Sequence, residues 1–128
     1  MHQAEEWKKR SKELALRVFR LGRALPRTEE ARILGRQLLR CSSSVAANSR
    51  AVCRFRSRSE FVARMGVVVE EADERAFWLE FLVDAGIVPQ RKMADLLHEA
   101  NELVATFAAS QHTARAAVNQ SMKKSRNE

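Results

Sequence analysis

Five arginines, Arg32, Arg36, Arg40, Arg50 and Arg54, recur at spacings that place them within roughly an 80° arc of one helix, at about 100° per residue. Ser43 and Ala47 lie between them. A guanidinium binds phosphate oxygens as a bidentate fork, and small residues between the forks let a sugar-phosphate backbone approach closely. The stripe therefore has the chemistry of a polyanion contact. Its competing uses are a solvated face or a face paired with an acidic neighbour. No exposed aromatic for base stacking is evident beside it, so nucleic-acid binding here would rest on phosphate and shape.

A second group is polar where apolar residues belong. Asn48 falls on the buried spacing of the same helix, with Gln37, Ser44 and the carboxylates of "VEEADE" nearby in the expected packing. A buried amide without partners costs about 1 to 3 kcal/mol, so Asn48 needs them, and Ser44 and Glu71 are the candidates. Ser42 and Ser43 are expected to point away from that seam. A third group is apolar where polar residues belong: Val67, Phe77, Trp78 and Phe81 project from the outer parts of their helix, interleaved with Glu70 and Glu74. Large apolar patches on folded surfaces mark contacts, so these residues predict a subunit interface.

Enzyme signatures are missing. There is no glycine-rich phosphate loop, no Cys-x-x-Cys pair and no His-Glu-x-x-His helix. Asp95 and His98 in "DLLH" have the spacing of half a di-metal bundle site, but the other half cannot be assembled, and His98 falls off the core face. His2 and His112 lie near the ends and suggest nothing. No cofactor and no metal are expected. Cys41 and Cys53 are separated by a helical rise of roughly 18 Å, which is beyond disulfide reach, so they read as reduced thiols.

These groups need helices to position them. Four Gly, two Pro and no Tyr in 128 residues leave little turn chemistry, and the apolar spacing is helical throughout. Trp7, Ser11, Leu14, Val18, Leu21 and Leu25 form the first seam, with Ser11 its polar intruder. Thr28 caps a second helix whose seam runs Leu34, Leu38, Cys41, Val45, Asn48, Val52 and Phe55. Ser57 and Glu60 form a capping box for a third, with Phe61, Met65, Val68, Ala72, Leu79 and Leu82 as its seam and Gly86 as a left-handed cap. Pro89 suits the first turn of a fourth, lined by Met93, Leu96, Leu97, Ala100, Leu103, Val104 and Phe107. Short connections between helices of similar length force antiparallel neighbours. The fold class is therefore all-α, an antiparallel up-down-up-down four-helix bundle over residues 1–112. Residues 113–128 are polar and basic with hardly an apolar anchor, and predict a frayed or disordered tail.

Net charge is +7, unevenly spread: +4 over residues 1–25, +6 over 26–58, −5 over 59–88, −1 over 89–112 and +3 over 113–128. Such asymmetry suits polyanion binding and equally suits charge-complementary packing between helices or subunits. The N-terminal stretch carries no apolar region with a small-residue cleavage site, and no apolar run has the length of a bilayer span. A cytoplasmic protein without membrane contact is expected.

Residues 37–82 carry a family likeness. The "QLLR" to "SVAAN" run, the "RSRSEF" turn, and "EEADE" followed by "WLE" closely resemble the signature of the bacterial four-helix-bundle protein family. That family includes the proteins encoded in intervening sequences of the large-subunit ribosomal RNA gene, and it looks related to the accessory variability determinant proteins of diversity-generating retroelements. The resemblance extends over about residues 8–110. It implies a homo-pentameric barrel of bundles and, in the retroelement relatives, a basic surface that engages nucleic acid and a reverse transcriptase. It also raises the ribosome as a partner. Gln37, Arg40, Ser44, Asn48, Glu71, Glu74 and Trp78 match the pattern, in roles of folding and assembly. Ser49 departs from the larger residue often found after the asparagine, and Ala51 and Val52 stand where one branch has Glu-Gly. The expectation is a non-enzymatic homo-oligomer that binds RNA or DNA through the arginines of the second helix and the basic faces of the first. The alternative is a structural oligomer whose arginines serve subunit contacts.

Overall fold

The computed structural model describes residues 2–127. Four helices span His2–Ala24 (α1), Glu29–Ala51 (α2), Arg58–Asp84 (α3) and Gln90–Arg126 (α4), with a 3-10 turn at Val52–Arg54. Consecutive helices pack most extensively, and α1 meets α4 over a thinner seam, which makes the up-down-up-down bundle.

The helix ends follow from the chain's local chemistry. The Thr28 hydroxyl accepts the Ala31 amide at 3.2 Å, and Glu29 and Glu30 lie in the first turn of α2, where the helix dipole favours negative charge. Ser57 accepts the Glu60 amide at 3.1 Å, but the Glu60 carboxylate takes the Arg56 amide at 3.0 Å rather than closing the box on Ser57. At the end of α3, Gly86 adopts φ +75°. Its amide bonds the Val83 carbonyl at 2.9 Å, and the Ile87 amide bonds that of Leu82 at 3.0 Å, a complete Schellman cap. Pro89 is the N-cap of α4 and sits one residue outside its expected place in the first turn.

The core contains Trp7, Leu14 and Val18 of α1, Leu34, Leu38, Cys41 and Val45 of α2, Met65, Val68, Leu79 and Leu82 of α3, and Met93, Leu96, Leu103 and Phe107 of α4. The Trp7 and Phe107 rings meet edge to face, 5.6 Å between centroids, and help close the α1–α4 seam. Two expected core positions differ. Phe55 is exposed, pairing edge-on with Phe61 at 5.1 Å, because the helix has already ended at Ala51. Asn48 is only half-buried and Ser49 takes the inner position. A 3.6-residue turn drifts against strict seven-residue spacing, and by this point the drift has brought the next residue inward.

The chain beyond residue 112, expected to fray, continues α4 as helix to Arg126. Nothing in "TARAAVNQSMKKSR" breaks a helix, its alanines favour one, and Lys123, Lys124 and Arg126 complement the negative end of the dipole.

Candidate nucleic-acid interface

The arginine stripe lies partly where the spacing put it. Arg32, Arg36 and Arg50 of α2 and Arg54 of the 3-10 turn are exposed. Among the described residues none of the four has a carboxylate within 4.0 Å. Arg40 is different. Its guanidinium reaches across to α3, where it bonds Glu71 at 3.2 Å and also Glu74, while its Nε donates to Gln37 at 3.2 Å. The two glutamates face α2, so Arg40 is committed to its own chain and leaves the phosphate-binding set.

The second helix of this surface is α1. One groove between α1 and α2, about 580 Å³, has Ser43, Ala46 and Ala47 on the α2 side and Glu5, Lys8, Lys9, Lys12 and Arg50 around it. Glu5 is engaged by Lys8 at 3.0 Å. At the opposite end of the same helix pair, a groove of about 430 Å³ gathers Arg23, Arg27, Arg32 and Arg36 with Phe19, and no carboxylate lines it. Sequence reasoning named individual arginines on α2 alone and gave α1 only as a basic face. The pairing of two helices brings eight basic side chains to the two grooves.

The expected polar network divides in two. Arg40 collects Gln37, Glu71 and Glu74, whereas the Asn48 amide bonds only within its helix, to the Ser44 carbonyl at 2.9 Å and hydroxyl at 3.1 Å. Asn48 does not bond Glu71, because Arg40 occupies that carboxylate and Asn48 lies two turns further along α2. Ser43 is exposed and back-bonds to the Leu39 carbonyl at 2.8 Å, as its outward position requires. Ser42 is buried, against expectation, since the drift that admits Ser49 also turns Ser42 inward.

Two charged features were absent from the sequence reading. Arg10 of α1 forms a bidentate pair with Glu99 of α4, at 2.7 and 3.0 Å, and also bonds Glu102 at 2.9 Å. The pair pulls the Glu99 carboxyl below its ordinary range and raises the Arg10 guanidinium further. Arg75 of α3 is 0% exposed, and Nε, Nη1 and Nη2 all lack a hydrogen-bond partner. Burial pulls its pKa down to about 10, with Cys41 and Glu99 among its surroundings. Burial also pushes the Cys41 thiol up to about 11, so it is a packed, unreactive group. The signal for Arg75 was present, since position 75 completes the four-three spacing between Ala72 and Leu79.

On the outer face of α3, Val67, Phe77 and Phe81 are exposed, Phe77 at 51%. Trp78 packs against the core, with its indole N–H buried and unpartnered. Its ring lies edge-on to Phe77 at 4.9 Å and to Phe81 at 5.9 Å, so the aromatic group is anchored from within. Among the described residues no cluster of His, Cys, Asp and Glu is suited to a metal, and no helix is long and apolar enough to cross a membrane.

Similarity to known proteins agrees with this architecture. No curated protein matches the chain. A crystal structure of a protein of unknown function from the S23 ribosomal protein family of Bacteroides thetaiotaomicron is similar in fold, with a TM-score of 0.77 and 23% identity over 85% of this chain and 97% of that one. The model of the 23S rRNA-intervening sequence protein family matches residues 3–109, nearly the whole bundle, and the chain belongs to that family.

Proposed function

We propose that this chain is a non-catalytic, homo-oligomeric bundle that binds RNA through the α1–α2 face. The observation that carries this is the set of exposed arginines without acidic partners among the described residues, Arg32, Arg36, Arg50 and Arg54, flanked by Lys9, Lys12, Arg23 and Arg27 of the helix-one side and its loop. Such groups displace condensed counterions from a phosphate backbone, and affinity follows from the number of contacts. The aromatic face of α3, with Val67, Phe77 and Phe81, supports assembly, and the resemblance favours a ring of five. A ring repeats one modest basic face several times, so avidity multiplies its strength. The family's name makes 23S rRNA the first RNA to offer. Within the stripe, structural pairing is favoured for Arg40, by its bonds to Glu71 and Glu74.

The test is RNA binding across a salt titration. Log affinity should fall with log salt at a slope of roughly −0.7 to −0.9 per phosphate contact. The Arg32→Glu and Arg36→Glu double variant should bind more weakly with a shallower slope. Absence of binding even at low salt would refute the reading.

A further inference from the structure

We propose that the groove between the C-terminal half of α1 and the N-terminal half of α2 holds an unpaired nucleotide of a single-stranded RNA, with its base stacked on Phe19 and its phosphates on the surrounding arginines. The inference rests on the RNA-binding reading above and specifies the form of RNA.

Three observations meet at this groove. Phe19 lines it and is 44% exposed, a large aromatic left at the surface in the middle of a basic site. The Arg23 guanidinium lies over the ring, 5.5 Å from its centroid, so in the free chain a flat cation holds the place of the base, and stacking requires it to swing aside towards the phosphates. Arg27, Arg32 and Arg36 complete the rim, and the absence of a lining carboxylate makes the site complementary to phosphate and to no cation. The groove volume of about 430 Å³ falls among sites for small organic groups.

Gly22 adds an independent indication. It stands in the last turn of α1, where glycine still costs up to about 1 kcal/mol relative to alanine. A Cβ built there would meet nothing within 4 Å, so packing inside the chain does not require the glycine. What its missing side chain does provide is an open approach to the helix backbone beside Phe19, on the groove itself. Aromatic faces bind single-stranded bases irrespective of sequence, whereas a duplex keeps its bases stacked inside and offers phosphate alone.

The experiment compares the full chain's affinity for a short single-stranded RNA with that for an abasic strand of the same length and phosphate charge. RNA should bind about five-fold to a hundredfold more tightly, and Phe19→Leu, which keeps the apolar volume but removes the π-face, should reduce RNA to the abasic level. Melting temperature and sedimentation are recorded on the same variant. Equal binding of RNA and abasic strand, or an unaffected Phe19→Leu, overturns this inference and leaves the electrostatic reading intact. A changed sedimentation coefficient in Phe19→Leu also overturns it, because the ring then belongs to a subunit contact. Failure of both strands to bind removes the RNA-binding reading itself.

Discussion

Replacing Arg75 by methionine should stabilise the protein. Arg75 is 0% exposed and its guanidinium nitrogens have no hydrogen-bond partner, so folding strips a cation of water and returns little to it. The depression of its pKa from the ordinary arginine range to about 10 corresponds to about 3 kcal/mol of lost stability. Exchange of buried charges for apolar side chains of similar volume independently suggests about 1 to 4 kcal/mol. Arg75→Met fills the space between Ala72 and Leu79 with an adaptable apolar chain, and should raise Tm by roughly 5 to 10 °C at fixed protein concentration. The pH dependence carries a defined sign. Below about pH 10 both folded and unfolded chains hold the Arg75 proton and the penalty is complete; above about 10, up to the ordinary arginine range, only the unfolded chain holds it, so wild-type stability gains on the variant. Denaturant unfolding at neutral pH and at pH 10.5 measures both effects. An Arg75→Met protein melting at or below the wild-type temperature would show that the guanidinium is well bonded and would refute the reasoning.

Two further outcomes follow from the same structure. Glu99→Gln should cost about 1 kcal/mol at neutral pH by weakening the bidentate Arg10 pair. Because Glu99 titrates below its ordinary range when folded, that contribution is present above the unfolded pKa and is lost as pH falls through the folded one, so wild type and variant should converge in acid unfolding curves. If the α3 face carries the proposed assembly, Phe77→Ser with Phe81→Ser should lower the sedimentation coefficient to that of a monomer while leaving helix content intact, since both rings are exposed in the single chain; an unchanged coefficient would refute assembly through this face.

The elements that the sequence revealed most clearly were those decided locally. Thr28, Ser57 and Gly86 act within one turn of themselves, and their hydrogen bonds are those the residue types require. Seam residues such as Leu38, Met65 and Leu103 follow from spacing, because any bundle buries that face. What escaped was decided between helices. Arg40 looks like its neighbours on the α2 wheel, and only the register of α2 on α3 separates it from Arg36 by supplying Glu71 and Glu74. Phe19 and Arg36 are distant in sequence and meet only because α1 and α2 are antiparallel. Arg75 escaped for another reason: its spacing marked it as internal, but a charged residue type argued against burial, and here position prevailed over type.

The length of α4 means that one continuous helix lives under two regimes of stability. As far as Val118 its residues still find partial cover, and further in, Leu103 and Phe107 are sealed in the core. From Asn119 to Arg126 every side chain is exposed, so a rod of roughly 12 Å keeps its shape on backbone bonds and terminal charge alone. Segments this short are marginal helices in water. These last two turns can unwind and rewind while the bundle stays closed, and the α4 terminus can change its reach at almost no cost to the fold that carries it.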